Sequence, residues 1–164
     1  MIDFTVTTRN YKWTGIGFSK NRLMSETDAI LGWVEETGRF FIMDVWMDSY
    51  EAPLLDPSQD IANMSGARIN GITTLRFSRK RSSGDRTHDL QFSDSQCLYM
   101  MFPTQGGVFN AVSKKIRKHD VTPIVSPHPV CIRSCSKCEV VPFTCWHAHT
   151  LKAHLATTIT RTEN

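Results

Sequence analysis

Period-two alternation in short runs is the feature that most constrains this chain. Ile2, Phe4 and Val6 alternate with Asp3, Thr5 and Thr7, and Ile16 and Phe18 flank Gly17. Such runs put the apolar side chains on one face of an extended strand. Further runs follow at Asp28 to Glu35, Arg39 to Met47, Ile72 to Ser78, Asp89 to Phe92, Leu98 to Phe102 and Val130 to Arg133. Glu36-Thr37-Gly38 joins the first two of these as a short Gly-containing hairpin. No i, i+3, i+4, i+7 apolar stripe survives through the first 135 residues. The pattern predicts an all-β fold, a β-sandwich of about eight to ten strands, and no repeat unit points to a solenoid.

Turn chemistry sets the boundaries. Tyr50 to Gly71 holds Pro53, Pro57, Gly66 and Gly71 and reads as mostly loop, with a short strand near Ile61. Arg79 to Asp85 reads as a charged, solvated hairpin turn. Pro103 to Pro129 is a long loop carrying the basic stretch Lys114-Lys115-Ile116-Arg117-Lys118-His119, and loops of that length in a compact domain are functional or unstructured. From Ser136 the composition turns Cys-rich, then His-rich, then Thr-rich. The expected organisation is one domain over residues 2–135 and an irregular, poorly ordered Cys/His-containing C-terminal tail over 136–164.

With 40% hydrophobic and 21% charged residues the chain can build a core. A net charge of +3 is too small to argue for nucleic acid as a partner. Phe40-Phe41-Ile42-Met43 is stopped at once by Asp44, far short of the ~20 apolar residues of a membrane span. The start, Met1 to Val6, lacks the basic flank and apolar run of a secretion leader and reads as a strand. The chain is therefore expected either in the cytosol or, as a piece of a longer precursor, outside the cell.

Five cysteines are present, four of them between Cys131 and Cys145. Cys97 and the Cys131 to Cys135 region bracket the long loop, so Cys97, Cys131 and Cys135 are the disulfide candidates. A bridge from Cys97 to either partner would contribute up to about 4 kcal/mol in the chain-entropy picture. Cys135, Cys138, Cys145, His147 and His149 are zinc-type ligands whose spacing matches no zinc module. Asn63-Met64-Ser65 is a glycosylation sequon that counts only in a secreted chain. No Ser-His-Asp or Cys-His constellation stands out, and Asp44, Asp48, Asp56 and Asp60 read as scattered acids of a solvated or calcium-tolerant loop, only Asp44 and Asp48 being spaced to share a strand face. The chain is not expected to be an enzyme by itself.

Several short motifs in order carry a family resemblance. They are Tyr11 to Ser19, Met24, Asp28 to Val34, Gln59-Asp60-Ile61, Gly71 to Thr74, Gly84-Asp85 and Phe102-Pro103-Thr104-Gln105-Gly106-Gly107. Together they resemble the DOMON domain family over roughly Asp3 to Cys135, most like the DOMON domain of Knickkopf- and Skeletor-type arthropod extracellular proteins. The resemblance implies an immunoglobulin-like sandwich, extracellular or lumenal, whose pocket holds haem b in some members and is thought to bind sugars in others. In the haem branch one Met and one His are axial ligands. Met24 matches the Met position, and His119 is the candidate His.

Thioether and imidazole together suit a six-coordinate, electron-transfer iron, and Met raises its potential. Both residues are expected on loops at one end of the sandwich, with Trp33, Phe40 or Trp46 beside the macrocycle. Without a Cys-x-x-Cys-His the haem would be non-covalent, and no metal beyond the haem iron is expected. Against this stand the ordinary roles of a packing Met24 and a solvated His119. The competing expectation is a haem-free adhesion module that binds carbohydrate in cuticle or chitin through Trp13, Trp33, Trp46 or Tyr50, although alternation also assigns Trp13 and Trp33 to the core. Expected partners are haem or a glycan, extracellular matrix, or a redox partner domain.

Overall fold

The computed structural model describes residues 1–133. The expected Cys/His tail over 136–164, its zinc-type residues and Cys135 lie outside the described residues. The described part is all-β, as predicted. Its strands are β1 (Ile2–Thr8), β2 (Thr14–Ser19), β3 (Thr27–Val34), β4 (Phe40–Met47), β5 (Leu54–Leu55), β6 (Ile61–Ile69), β7 (Ile72–Arg79), β8 (Tyr99–Phe102), β9 (Phe109–Asn110), β10 (Lys115–Ile116) and β11 (Ile124–Val125). A small sheet, ordered β1-β7-β6, packs against a larger one, ordered β11-β8-β2-β3-β4-β5, and β9 pairs with β10.

The alternation seen in the sequence builds the space between the sheets. Ile2, Phe4 and Val6 of β1, Ile16 and Phe18 of β2, and Leu75 and Phe77 of β7 meet there, all at most 3% exposed. Phe4 stacks on Phe77 and meets Phe18 edge-on. β3, however, is buried along its whole length. Its alternate residues Ala29, Leu31 and Trp33 face away from the small sheet and form a second cluster with Trp13, Met43, Val45 and Met47. The cover on this outer face comes from the 103–125 segment, whose Phe109 stacks on Trp33.

The Tyr50 to Gly71 stretch is not mostly loop. β6 is a nine-residue strand turning into β7 through Asn70-Gly71, with Ile69 paired to Ile72 and both turn residues at positive φ, +52 and +76°. That two-residue turn matches the twist of an antiparallel pair. Asp89 to Phe92 forms no strand, because its donors are used elsewhere: Leu90 N–H donates to Asp28 Oδ2 and Phe92 N–H to the Arg81 carbonyl. Near Val130 only a bridge to Leu98 forms, closed by the disulfide Cys97–Cys131. Arg79 is 1% exposed rather than solvated.

Candidate ligand-binding site

The outer face of the larger sheet carries a pocket of about 950 Å³ with a mainly apolar lining. That volume is at the upper end of the ~300–1,000 Å³ typical of small-molecule sites. Its floor follows from the sequence of β2. Ile16 and Phe18 point into the core, so the outer face at Gly17 is bare backbone between Ala29 and Met101. The wall is the long loop, from Pro103 and Val108 through Ile116 to Asp120, and the opposite rim comes from Arg22 to Met24 and Tyr50 to Pro53.

Met24 and His119 both line this pocket. Met24 is half-buried against the second apolar cluster. Its loop is fixed by Leu23, whose carbonyl accepts from Ser19 Oγ at 3.1 Å and Thr27 Oγ1 at 2.8 Å. His119 is also half-buried, and burial, then the neighbouring Lys118 charge, pulls its imidazole below the usual 6.5. The neutral ring this favours is the form that can ligate a metal.

Trp13 holds the His119 loop in place. Its indole N–H donates to the Arg117 carbonyl at 2.8 Å, and its own carbonyl accepts from Gly106 N–H at 3.1 Å. A Cβ at Gly106 would lie 2.1 Å from the Trp13 oxygen, and one at Gly107 2.0 Å from the Lys118 oxygen. The Gly106-Gly107 pair is therefore what lets the loop lie this close. Beyond it, Lys12 pairs with Asp120, and Asp120 N–H donates to the Gln105 carbonyl at 3.1 Å.

Met24 and His119 both lie on loops, and the pocket they line is floored by the outer face of the larger sheet. Trp33, Phe40 and Trp46 do not line it. Phe40 and Trp46 pack on the core between the sheets, and Trp33 is stacked between Phe41 and Phe109. The aromatics that line the pocket are Trp13, itself only 4% exposed, and Tyr50. Of the expected sugar platforms, Tyr50 alone is fully exposed, at 69%, and it stands on the rim.

A second cluster escaped the sequence reading. Asp28, Asp44 and Asp89 bring carboxylate oxygens within 4.8 Å of one another, all buried. Arg79 sits among them, pairing with Asp28 at 2.6 Å and Asp89 at 3.2 Å. Burial drives Asp28 up to about 6 despite Arg79 and the Leu90 N–H. Burial and then the Asp28 charge drive Asp44 up to about 8, and burial raises Asp89 as well. The spacing would admit a cation, but the Arg79 guanidinium and a proton on Asp44 already supply the compensating charge. Asp44 is held by Gln59, which accepts from its N–H at 3.0 Å and donates to its carbonyl at 2.8 Å. Asp56 is likewise buried, so neither Asp44 nor Asp56 is a solvated acid.

A sandwich with a pocket on one outer face defines a ligand-binding module rather than a bare structural domain. The family model described as DOMON domain matches residues 1–105, and the chain belongs to the DOMON domain family. Met24 lies inside the matched range and His119 beyond it. Over 107 residues the chain is 33% identical to MOXD1 homolog 2 of Drosophila melanogaster, an alignment covering 63% of this chain and 14% of that protein. The chain thus spans about a seventh of this relative. No solved structure matches it.

Proposed function

We propose that the chain is a non-catalytic, extracellular module that binds haem b for electron transfer through Met24 and His119. What supports this most is that these two residues, far apart in sequence, line one apolar cavity of suitable size. The donor set fits the group: a neutral imidazole, a thioether beside an apolar floor, and Arg22, Arg117 and Lys118 at the rim to meet its carboxylates. Met24 and His119 would hold the haem, which when bound would supply one-electron chemistry at a potential raised by the thioether. Within the chain, Trp13 and Gly106 fix the loop that presents His119, and Ala29, Leu31, Met47 and Met101 keep water from the floor.

Purified protein reconstituted with haem should show a Soret band and a sharp reduced α band, both lost in Met24→Ala with His119→Ala. A double variant that binds haem as well as the parent would sink the proposal. A second reading, carbohydrate or matrix binding without haem in cuticle or chitin, is favoured by Tyr50 alone on the rim. Retention on chitin with no Soret band, lost in Tyr50→Ala, would select it.

A further inference from the structure

β6 is an edge strand of the small sheet, bonded to β7 on one side only. Its ladder is interrupted in the middle. Ile61 pairs with Arg79 and Ala62 with Ser78, but pairing resumes only at Ser65 with Arg76, so Asn63 and Met64 together oppose Phe77. This extra residue is a β-bulge, the device that re-aims a side chain out of a sheet edge. Asn63 has φ +50°, a conformation Asn tolerates better than most residues. Asn63, Met64 and Ser65 are all exposed. Beside Asn63, on the outer face of the sheet, is a groove of about 400 Å³ whose lining includes Asp3, Thr5, Ser65, Arg76 and Ser78.

We propose that Asn63 is an N-linked glycosylation site and that its first sugar lies in this groove. Asn63-Met64-Ser65 has the Asn-x-Ser acceptor form, and Asn10, Asn21, Asn70 and Asn110 lack a Ser or Thr two residues on. In the transfer the Asn63 amide nitrogen bonds to the anomeric carbon of N-acetylglucosamine and gives up one proton to a base of the transferring enzyme. The bond from that carbon to the lipid diphosphate donor breaks, and the diphosphate leaves with the electron pair. One N–H remains on the amide, enough to keep the Asn63 Nδ2 to Ser78 Oγ hydrogen bond of 3.1 Å. The groove's hydroxyl, carboxylate and guanidinium groups match the donors and acceptors of a sugar. The Cys97–Cys131 disulfide belongs to the same oxidising compartments in which this modification is made. Asn63 stands on the edge strand β6 beside Met64, which is 44% exposed.

The test is the full chain expressed behind a secretion leader in a eukaryotic host, with intact mass read before and after peptide N-glycosidase. A glycan-sized mass loss is expected in the parent and in S65T, and none in N63Q or S65A. S65A leaves Asn63 in its bulge, which separates lost modification from lost folding. Secreted parent protein with its disulfide formed and Asn63 unmodified overturns the proposal. In the glycoprotein trimmed to a single N-acetylglucosamine, NMR cross-peaks are expected between the sugar protons and Thr5 and Arg76 of the groove. A trimmed sugar in contact with neither would overturn its placement there.

Discussion

The indole nitrogen of Trp13 reaches the main-chain oxygen of Arg117 across 2.8 Å, joining the entry to β2 to the loop that carries His119. The two residues are remote in sequence, and the contact fixes one wall of the pocket to its floor.

Replacing Trp13 by Phe keeps an aromatic ring but removes the donor, leaving the Arg117 carbonyl without it. The expected loss is about 1 kcal/mol of stability, with weaker ligand binding. Gly106→Ala drives a methyl to 2.1 Å from the Trp13 oxygen and should cost ~1–3 kcal/mol. Denaturant melts of the two single variants and the double should show less than additive loss, since both loosen the same loop from Trp13 through neighbouring contacts.

Arg79→Met should cost about 3–5 kcal/mol, because it strips the positive charge from between Asp28 and Asp89. Arg79→Lys keeps the charge but not the fork, and should fall between Met and the parent. A urea midpoint unmoved by Arg79→Met would show that the cluster is not a structural ion network.

The same cluster sets a pH dependence. Asp44 binds its proton more tightly folded, with a value of about 8 against an ordinary 3.8, and Asp28 is shifted the same way to about 6. A folded-state value above the unfolded one means that the folded chain holds more protons in between. This contribution to stability is therefore intact below 3.8, falls as pH rises, and is fully lost above about 8. Asp44→Asn should flatten the profile and raise stability at alkaline pH relative to the parent, read as melting temperature across that range.

Opening the Cys97–Cys131 bridge with reductant, or by Cys97→Ser, should lower stability by about 2–4 kcal/mol. Melts with and without reductant measure it, and identical curves would refute a structural role for the bond.

Alternation made β1 to β4 and β7 legible, because each has one face between the sheets. It failed at β6, where the bulge between Ala62 and Ser65 shifts the phase and exposed polar residues blur the pattern. The Asn70-Gly71 pair was the available signal for that hairpin. The unbroken apolar run Ala29-Ile30-Leu31-Gly32-Trp33-Val34 likewise marked a strand covered on both faces, and so the outer cluster that borders the pocket. β9, β10 and β11 have two residues each, too short to show a period. Arg79 looked solvated because a sequence gives charge without depth. Met24 and His119 were singled out by resemblance and chemistry, and no periodicity could have placed them beside one cavity.

The disulfide and the Leu98–Val130 bridge close residues 97 to 131 into a ring hung from β8, and the outer wall of the pocket, His119 included, lies within it. A ring anchored at both ends accepts changes of length cheaply, since doubling it costs only about 0.6 kcal/mol of closure entropy. Insertions and replacements inside the ring can therefore alter what the pocket accepts while the sheets keep their residues. Ligand choice and scaffold can then evolve as separate heritable traits.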